Sequence, residues 1–336
     1  MRVWELPAFG LSQLRLRERE GLRPGAHQLR VRIRAAALNY RDLLMIEGRY
    51  DPRMRLPLVP LSDGVGEILE VGEAVRGFAP GERVAGTFAQ GWIAGEPSRA
   101  LIRATLGGPL DGTLAEEVLL EASGAVHIPT QLSDVEAATL PCAGVTAWSA
   151  LSTLGGVRAG DTVLVQGTGG VSVFALQLAR LLGARVIATT SQAAKAAKLR
   201  DLGAAHVLNY REDPEWGKAA RALTGGRGVD LVIDVGGVAT LPHSLKAVRP
   251  GGTIALIGIL SGARGELDLL PAIMNQVRLQ GVVVGHRESF EAMNRAIEQH
   301  HLRPIVDRVF PFEEAPAAFE RVRSGAHFGK ICVEMG

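Results

Sequence analysis

Asp161-Thr-Val-Leu-Val-Gln-Gly-Thr-Gly-Gly-Val-Ser172 decides the fold. Val163 to Val165 is a short apolar run, of the kind a parallel sheet buries on both faces. Gly167, Gly169 and Gly170 follow. Beyond them Val171, Phe174, Ala175, Leu178, Leu181 and Leu182 recur at helical spacing. Strand, glycine turn, helix is the context in which such glycines hold a dinucleotide. Unpaired amides at a helix start converge on one spot, and the helix dipole favours negative charge there. Glycines let a pyrophosphate approach with no Cβ in the way. The third glycine of G-x-G-x-x-G falls at Ser172, so an ordinary tight βα turn is the competing reading.

The surroundings favour the nucleotide. From residue 161 onward strands and helices alternate, which implies a parallel sheet with crossover connections. The pattern predicts strands at Val163–Gln166, Arg185–Ala188, His206–Asn209, Asp230–Val235, Thr253–Gly258 and Gln280–Val284. Six strands suffice for a complete dinucleotide domain. Glu288–His300 and Glu313–Ser324 read as helices, and Ile331–Val333 as a closing strand. Towards the N-terminus, Leu29-Arg-Val-Arg-Ile-Arg-Ala35 alternates apolar and charged residues like a half-buried strand. Gly64–Gly72 repeats the pattern, and Pro80-Gly81 turns into a further strand, so residues 1–120 read as a small barrel or sandwich. Ser133-Asp-Val-Glu136 is a capping box opening a helix towards Thr153, with Pro141 as a kink or break.

A chain of 336 residues suggests two domains. Its 37 basic and 35 acidic residues leave a net charge of +2, and the arginines are scattered, which argues against a nucleic-acid footprint. Cys142 and Cys332 make neither a disulfide framework nor a four-thiolate zinc site, and suggest a reducing compartment. No apolar run of about 18 residues predicts a membrane span, and Met1–Pro7 has no signal-peptide core. The expectation is a soluble cytoplasmic protein.

The second strand selects the cofactor. An NAD site usually has Asp or Glu at its end, accepting from the ribose 2′-hydroxyl. Here no acidic residue lies between Asp161 and Asp201. Thr189, Thr190, Ser191 and Lys195 stand there instead, and hydroxyls with an ammonium suit a 2′-phosphate. NADP(H) is therefore favoured over NAD(H). The bland alternative makes Lys195 one solvated residue beside Lys198 and Arg200.

These residues resemble a family. Ala37–Asp42, Glu47–Pro52, Gly64–Gly72, Pro80–Val84, Thr146-Ala-Trp148, the glycine turn and His327-Phe-Gly-Lys330, in this order, are similar to the zinc-independent, quinone-oxidoreductase-like members of the medium-chain dehydrogenase/reductase superfamily. The resemblance covers essentially the whole chain. It implies a Rossmann doubly wound parallel sheet plus a GroES-like β-barrel catalytic domain, with residues 1–125 and 268–336 in the latter and 126–267 binding NAD(P). It also implies a homo-oligomer, a dimer, joined at a sheet edge.

Zinc relatives carry a cysteine near position 39, Gly-His-Glu near 61–63 and a third ligand near 142. This chain has Asn39, Ser62, Asp63 and Cys142. A catalytic zinc normally has three protein ligands, so the expectation is no zinc. An oxyanion formed by hydride addition then needs uncharged donors. The resemblance points to Asn39 and Tyr50, the phenol as hydrogen-bond or proton donor. It places Thr146 near the nicotinamide and Gly167, Thr168, Gly169, Gly170 and Val171 at the pyrophosphate. Thr190, Ser191, Lys195 and Tyr210 fall beside the adenosine 2′-phosphate. Ile257 and Gly258 fall at the nicotinamide, with Phe328 and Lys330 closing the site. The expected activity is hydride transfer from NADPH to a quinone or α,β-unsaturated carbonyl. A zinc alcohol dehydrogenase using Asp63 and Cys142, or a non-catalytic NADPH-binding protein, are the alternatives.

Overall fold

Fifteen strands carry the fold in the computed structural model, which describes residues 1–336. They are β1 (Arg2–Glu5), β2 (Arg15–Glu18), β3 (Gln28–Leu38), β4 (Asp63–Val71), β5 (Arg83–Gly86), β6 (Glu117–Glu121), β7 (Ala125–His127), β8 (Thr162–Gln166), β9 (Arg185–Thr190), β10 (His206–Asn209), β11 (Val229–Asp234), β12 (Val248–Leu256), β13 (Arg278–Gly281), β14 (Val306–Pro311) and β15 (Lys330–Glu334). Two units form: Met1–Val145 with Val284–Gly336, and Thr146–Val283.

The first unit is built around β3. Leu29, Val31 and Ile33 are buried while the intervening arginines lean outward, as the alternation predicts. β3 runs antiparallel to β4, to β6 and, through Ala35–Leu38, to β15, giving the sheet order β14-β15-β3-β4-β5-β7. Gly66 of β4 lies so close to β3 that an added Cβ would meet Arg32 O at 2.0 Å. Only a glycine allows that approach. Phe312, Phe319, Ile331 and Val333 pack onto the same core as Leu29, Ile33 and Ile68.

Helix Asp134–Ala138 begins with the expected box: Glu136 N donates to Ser133 Oγ (3.2 Å), and Ser133 N to Glu136 Oε2 (2.8 Å). Pro141 does interrupt it. Leu140–Gly144 widens into a π-type turn, because proline has no N–H for the regular ladder.

The second unit is one parallel sheet in the order β10-β9-β8-β11-β12-β13. Numbered by appearance this is 3-2-1-4-5-6, the doubly wound arrangement whose order reverses between its first and fourth strands, here β8 and β11. The six predicted strands are all present. The last begins at Arg278, two residues earlier than expected, and pairs through Leu279 with Ile254 of β12. That pairing keeps residues up to Val283 in the sheet unit, so the units change at 145/146 and 283/284 where the expectation had 125/126 and 267/268. No helix is long and apolar enough to cross a membrane.

Candidate active site

The glycine turn follows β8 directly. Gly167 has φ +76°, which favours glycine, and its N–H donates to Thr189 O at 3.0 Å. Gly169 caps the helix Gly170–Leu181. A Cβ at Gly167 or Gly169 would meet nothing within 4 Å. The turn therefore presents bare backbone to open space, as an anion site at a helix start requires. Ser172 takes the third glycine's place without disturbing the packing. It is buried, and its Oγ donates to Gln166 O at 2.6 Å, tying helix to strand end. Thr168 is buried and Val171 partly so.

At the reversal point the end of β11 carries a residue the sequence reading passed over. Asp234 is fully buried. Its Oδ1 accepts from Gly236 N (3.0 Å), Gly237 N (3.1 Å) and Thr240 Oγ1 (2.7 Å), and its Oδ2 from Gln166 Nε2 (3.2 Å) and Ser244 Oγ (2.6 Å). A buried carboxylate is tolerable when so fully satisfied. It fixes the loop after β11 to the end of β8. Its partners are scattered from 166 to 244, so no local pattern announces it. Ile257 N donates to Asp234 O at 2.9 Å, and a Cβ on Gly258 would meet Val235 O at 2.4 Å. Gly258 is thus glycine because β11 and β12 close together there.

The 2′-phosphate candidates divide. Thr190 is buried, and its hydroxyl accepts from Gln192 N at 3.3 Å, which ties it to a local turn and leaves its own O–H to donate. Ser191 is partly exposed and Tyr210 is 42 % exposed, with its N–H on Thr190 O (3.1 Å). Lys195 lies in the first turn of helix Ala193–Asp201. It is only 9 % exposed, unlike Lys198 and Arg200, so it is not one more solvated cation of that helix. Thr146 is buried.

In the first unit, Asn39 joins β3 to helix Tyr40–Ile46. Its N–H donates to Asp42 Oδ2 at 2.8 Å. Below it sits Lys330, 3 % exposed, whose Nζ donates to Leu38 O (2.6 Å) and Asn39 Oδ1 (2.6 Å). Lys330, expected to close the site, is an internal cation here, because β15 pairs with the end of β3 and turns the side chain inward. Phe328 is buried as well, and its N–H donates to Asp307 Oδ1 at 3.0 Å. Asp63, fully buried, lies 3.8 Å from the Lys330 ammonium. It accepts from Ser62 Oγ (2.7 Å) and Cys142 N (3.2 Å), and Asn39 Nδ2 reaches Ser62 Oγ at 3.5 Å. Burial pushes the Asp63 carboxyl up to about 6; the Lys330 charge opposes this and the Asp42 charge adds to it. Burial also raises Asp42 against the pull of Arg41.

Arg41 organises the rim. Its guanidinium donates to Leu106 O (2.9 Å) and Gly108 O (3.1 Å) and stands 5.5 Å from the centre of the Tyr50 ring. Tyr50 is 54 % exposed. The phenol is thus backed by a cation and open on its other side. Arg41 was not legible as part of this cluster, because it acts largely through backbone carbonyls that carry no sequence signal; the resemblance placed Lys330 at the site but not its bonds.

A parallel sheet with a bare-backbone turn at its order reversal is the arrangement that holds a dinucleotide, and the relatives make the chain an NAD(P)H-dependent oxidoreductase. Comparison with known proteins gives the lineage. Residues 25–130 match the alcohol dehydrogenase GroES-like domain and residues 170–299 the zinc-binding dehydrogenase family. A zinc-type alcohol dehydrogenase-like protein of Schizosaccharomyces pombe is 40 % identical over 97 % of this chain and 96 % of its own. An acryloyl-coenzyme A reductase of Metallosphaera sedula is 32 % identical over 94 % and 95 %. A crystal structure of an alcohol dehydrogenase candidate from Sinorhizobium meliloti 1021 superposes with a TM-score of 0.94 at 41 % identity, covering 99 % of this chain and 98 % of that one. The chain belongs to the medium-chain dehydrogenase/reductase superfamily, among its quinone-oxidoreductase-like members.

The zinc in the family's description does not suit the side chains found here. No group of three or more His, Cys, Asp and Glu converges anywhere in the structure. Asp63 is engaged by Ser62, Cys142 N and the Lys330 ammonium. Burial and the Asp63 charge hold the Cys142 thiol far above its ordinary range, whereas a zinc ligand must be thiolate.

Proposed function

We propose that the chain transfers hydride from NADPH to an α,β-unsaturated carbonyl or quinone without zinc. The observation that carries this reading is the Asn39–Lys330–Asp63 cluster. An ammonium and an amide stand where a Lewis acid would otherwise be held, which suits stabilisation of an oxyanion by fixed N–H donors. Hydride adds to the β-carbon of an enone, and the electron pair moves onto the carbonyl oxygen as an enolate. The Asn39 amide donates to that oxygen, and the Tyr50 phenol supplies the proton that completes the saturated carbonyl, later regained from water. Bound NADPH would supply that hydride and become NADP+. A relative named for acryloyl-coenzyme A, a conjugated acyl group, supports the acceptor class. The acid-free end of β9 and the enclosed Lys195 support NADPH over NADH.

The deciding experiment is NADPH oxidation by metal-stripped protein against quinones, 2-alkenals, enoyl thioesters and simple ketones. Turnover of a conjugated acceptor supports the reading. Reduction of simple ketones alone, restored only by added zinc, would replace it with the alcohol dehydrogenase reading that several relatives' names favour. Tyr50→Phe is expected to lower turnover about 100-fold, a usual general-acid contribution, with NADPH affinity unchanged.

The working form we propose is a cytoplasmic homodimer. β13 is the outer strand of the parallel sheet and is exposed throughout. Leu279 on it, and Leu270, Ile273 and Met274 of helix Leu270–Met274, expose apolar side chains. An open apolar edge of that kind is suited to pairing with a second copy.

A further inference from the structure

We propose that Lys330 is a positioning residue for the reaction, fixing the Asn39 side-chain amide so that its nitrogen, never its oxygen, faces the acceptor. The inference rests on the reductase reading above but adds a residue to it.

The argument needs only donor and acceptor chemistry. An amide can turn over, exchanging its oxygen and nitrogen, and usually its orientation has to be inferred from its neighbours. Here the neighbours leave no choice. A lysine ammonium has three donors and no acceptor. The atom of Asn39 that lies 2.6 Å from Lys330 Nζ must therefore be its oxygen. Lys330 in turn cannot withdraw. It is 3 % exposed, its Nζ is held by Leu38 O at 2.6 Å, and the Asp63 carboxylate lies 3.8 Å away.

The other end of the chain of bonds has the same sense. Asp63 can only accept when ionised, so Ser62 Oγ donates to it at 2.7 Å and offers a lone pair back. Asn39 Nδ2, at 3.5 Å, is the group facing that lone pair. A cation at one end and an anion at the other polarise every hydrogen in one direction, from Lys330 through Asn39 and Ser62 to Asp63. An amide NH2 has two hydrogens. With one turned to the Ser62–Asp63 pair, the second is the donor for the acceptor's oxygen on half-buried Asn39. The ammonium on Oδ1 also withdraws electron density from the amide, which strengthens that donor.

Two measurements test this. The first does not depend on turnover. The Asn39 side-chain 15N–1H2 resonances, assigned by their loss in Asn39→Asp, are expected as two distinct, slowly exchanging protons in the wild type. In Lys330→Met they should move and exchange faster. Unchanged resonances in a folded Lys330→Met protein would overturn the proposal. Because Lys330→Met leaves Asp63 uncompensated, the paired variant Lys330→Met/Asp63→Asn, which removes both charges of that pair, is measured beside it and must show the same loss.

The second is a double-substitution cycle on kcat with the best conjugated acceptor. Lys330→Met is expected to lower kcat about 100-fold in the wild-type background, the size of one lost oxyanion donor, with KM for NADPH within twofold. In an Asn39→Ala background the same change should cost less than about twofold, since nothing remains to position. Equal losses in both backgrounds would make Lys330 merely structural. If the wild type reduces no acceptor, the reductase reading falls, while the amide resonances still decide the orientation.

Discussion

Lys195 and Asp63 show how much one side chain can be asked to do. If Lys195 meets a 2′-phosphate, Lys195→Glu should weaken NADPH by about 10- to 100-fold, the range for a lost charge-assisted contact, and leave NADH nearly unchanged. Fluorescence titration with both cofactors checks this, and equal losses would remove the assignment. Asp63 gives a pH signature. Its folded-state pKa is raised from 3.8 to about 6, so ionising it opposes folding. That penalty is absent below pH 3.8, grows as pH rises and is complete above about 6. The wild type should therefore lose stability relative to Asp63→Asn between those values and run parallel to it above them, as followed by thermal denaturation at stepped pH. At this scale the sequence was a partial guide. Residue types at 39, 62, 63 and 142 set the expectation of no zinc, and the missing acid after β9 marked the cofactor question. Lys330 was placed at the site by resemblance, but its bonds, and the roles of Arg41 and Asp234, stayed hidden, because their partners are backbone groups and residues far along the chain. At Thr190 the hydroxyl's type is visible in sequence, but the local turn that also uses it is not.

Among the elements, two glycines separate folding from binding. Gly258→Ala would press a Cβ against Val235 O at 2.4 Å. It should destabilise the sheet unit by about 1–3 kcal/mol, the usual range for overpacking, and lower Tm. Gly169→Ala has no neighbour within 4 Å and an ordinary φ of −76°, so Tm should hold. Its Cβ would stand where a pyrophosphate must approach, and NADPH affinity should fall. A Gly169→Ala protein with full affinity would argue that the turn is structural only. The elements themselves were largely readable. All six strands of the parallel sheet, the capping box at Ser133 and the proline break at Pro141 follow from period, apolar runs and cap chemistry. What escaped was extent. β12 begins at Val248, ahead of the predicted Thr253, and β13 at Arg278, ahead of Gln280, because pairing with neighbours and not composition sets where a strand starts.

Across the whole molecule, Leu279→Glu on the exposed edge β13 should convert the proposed dimer to monomer in light scattering, while each sheet unit keeps its far-UV spectrum. A monomeric wild type would remove the dimer. The assignment of strands to two units could be read only through the family resemblance, since nothing local tells that β15 belongs beside β3. That return of the chain has a consequence during synthesis. Lys330 and its partner Leu38 are separated by 292 residues. At about 5–20 residues per second, the ribosome completes β3 and then takes roughly 15–60 s to reach β15. Throughout that interval Ala35–Leu38 has no strand along that side, and Asp63 has no ammonium beside it. The nucleotide-holding sheet, from β8 to β13, is complete in the nascent chain before the acceptor-side cluster exists. On the proposed reading, a newly made molecule acquires the means to hold its reductant first and the means to use it last.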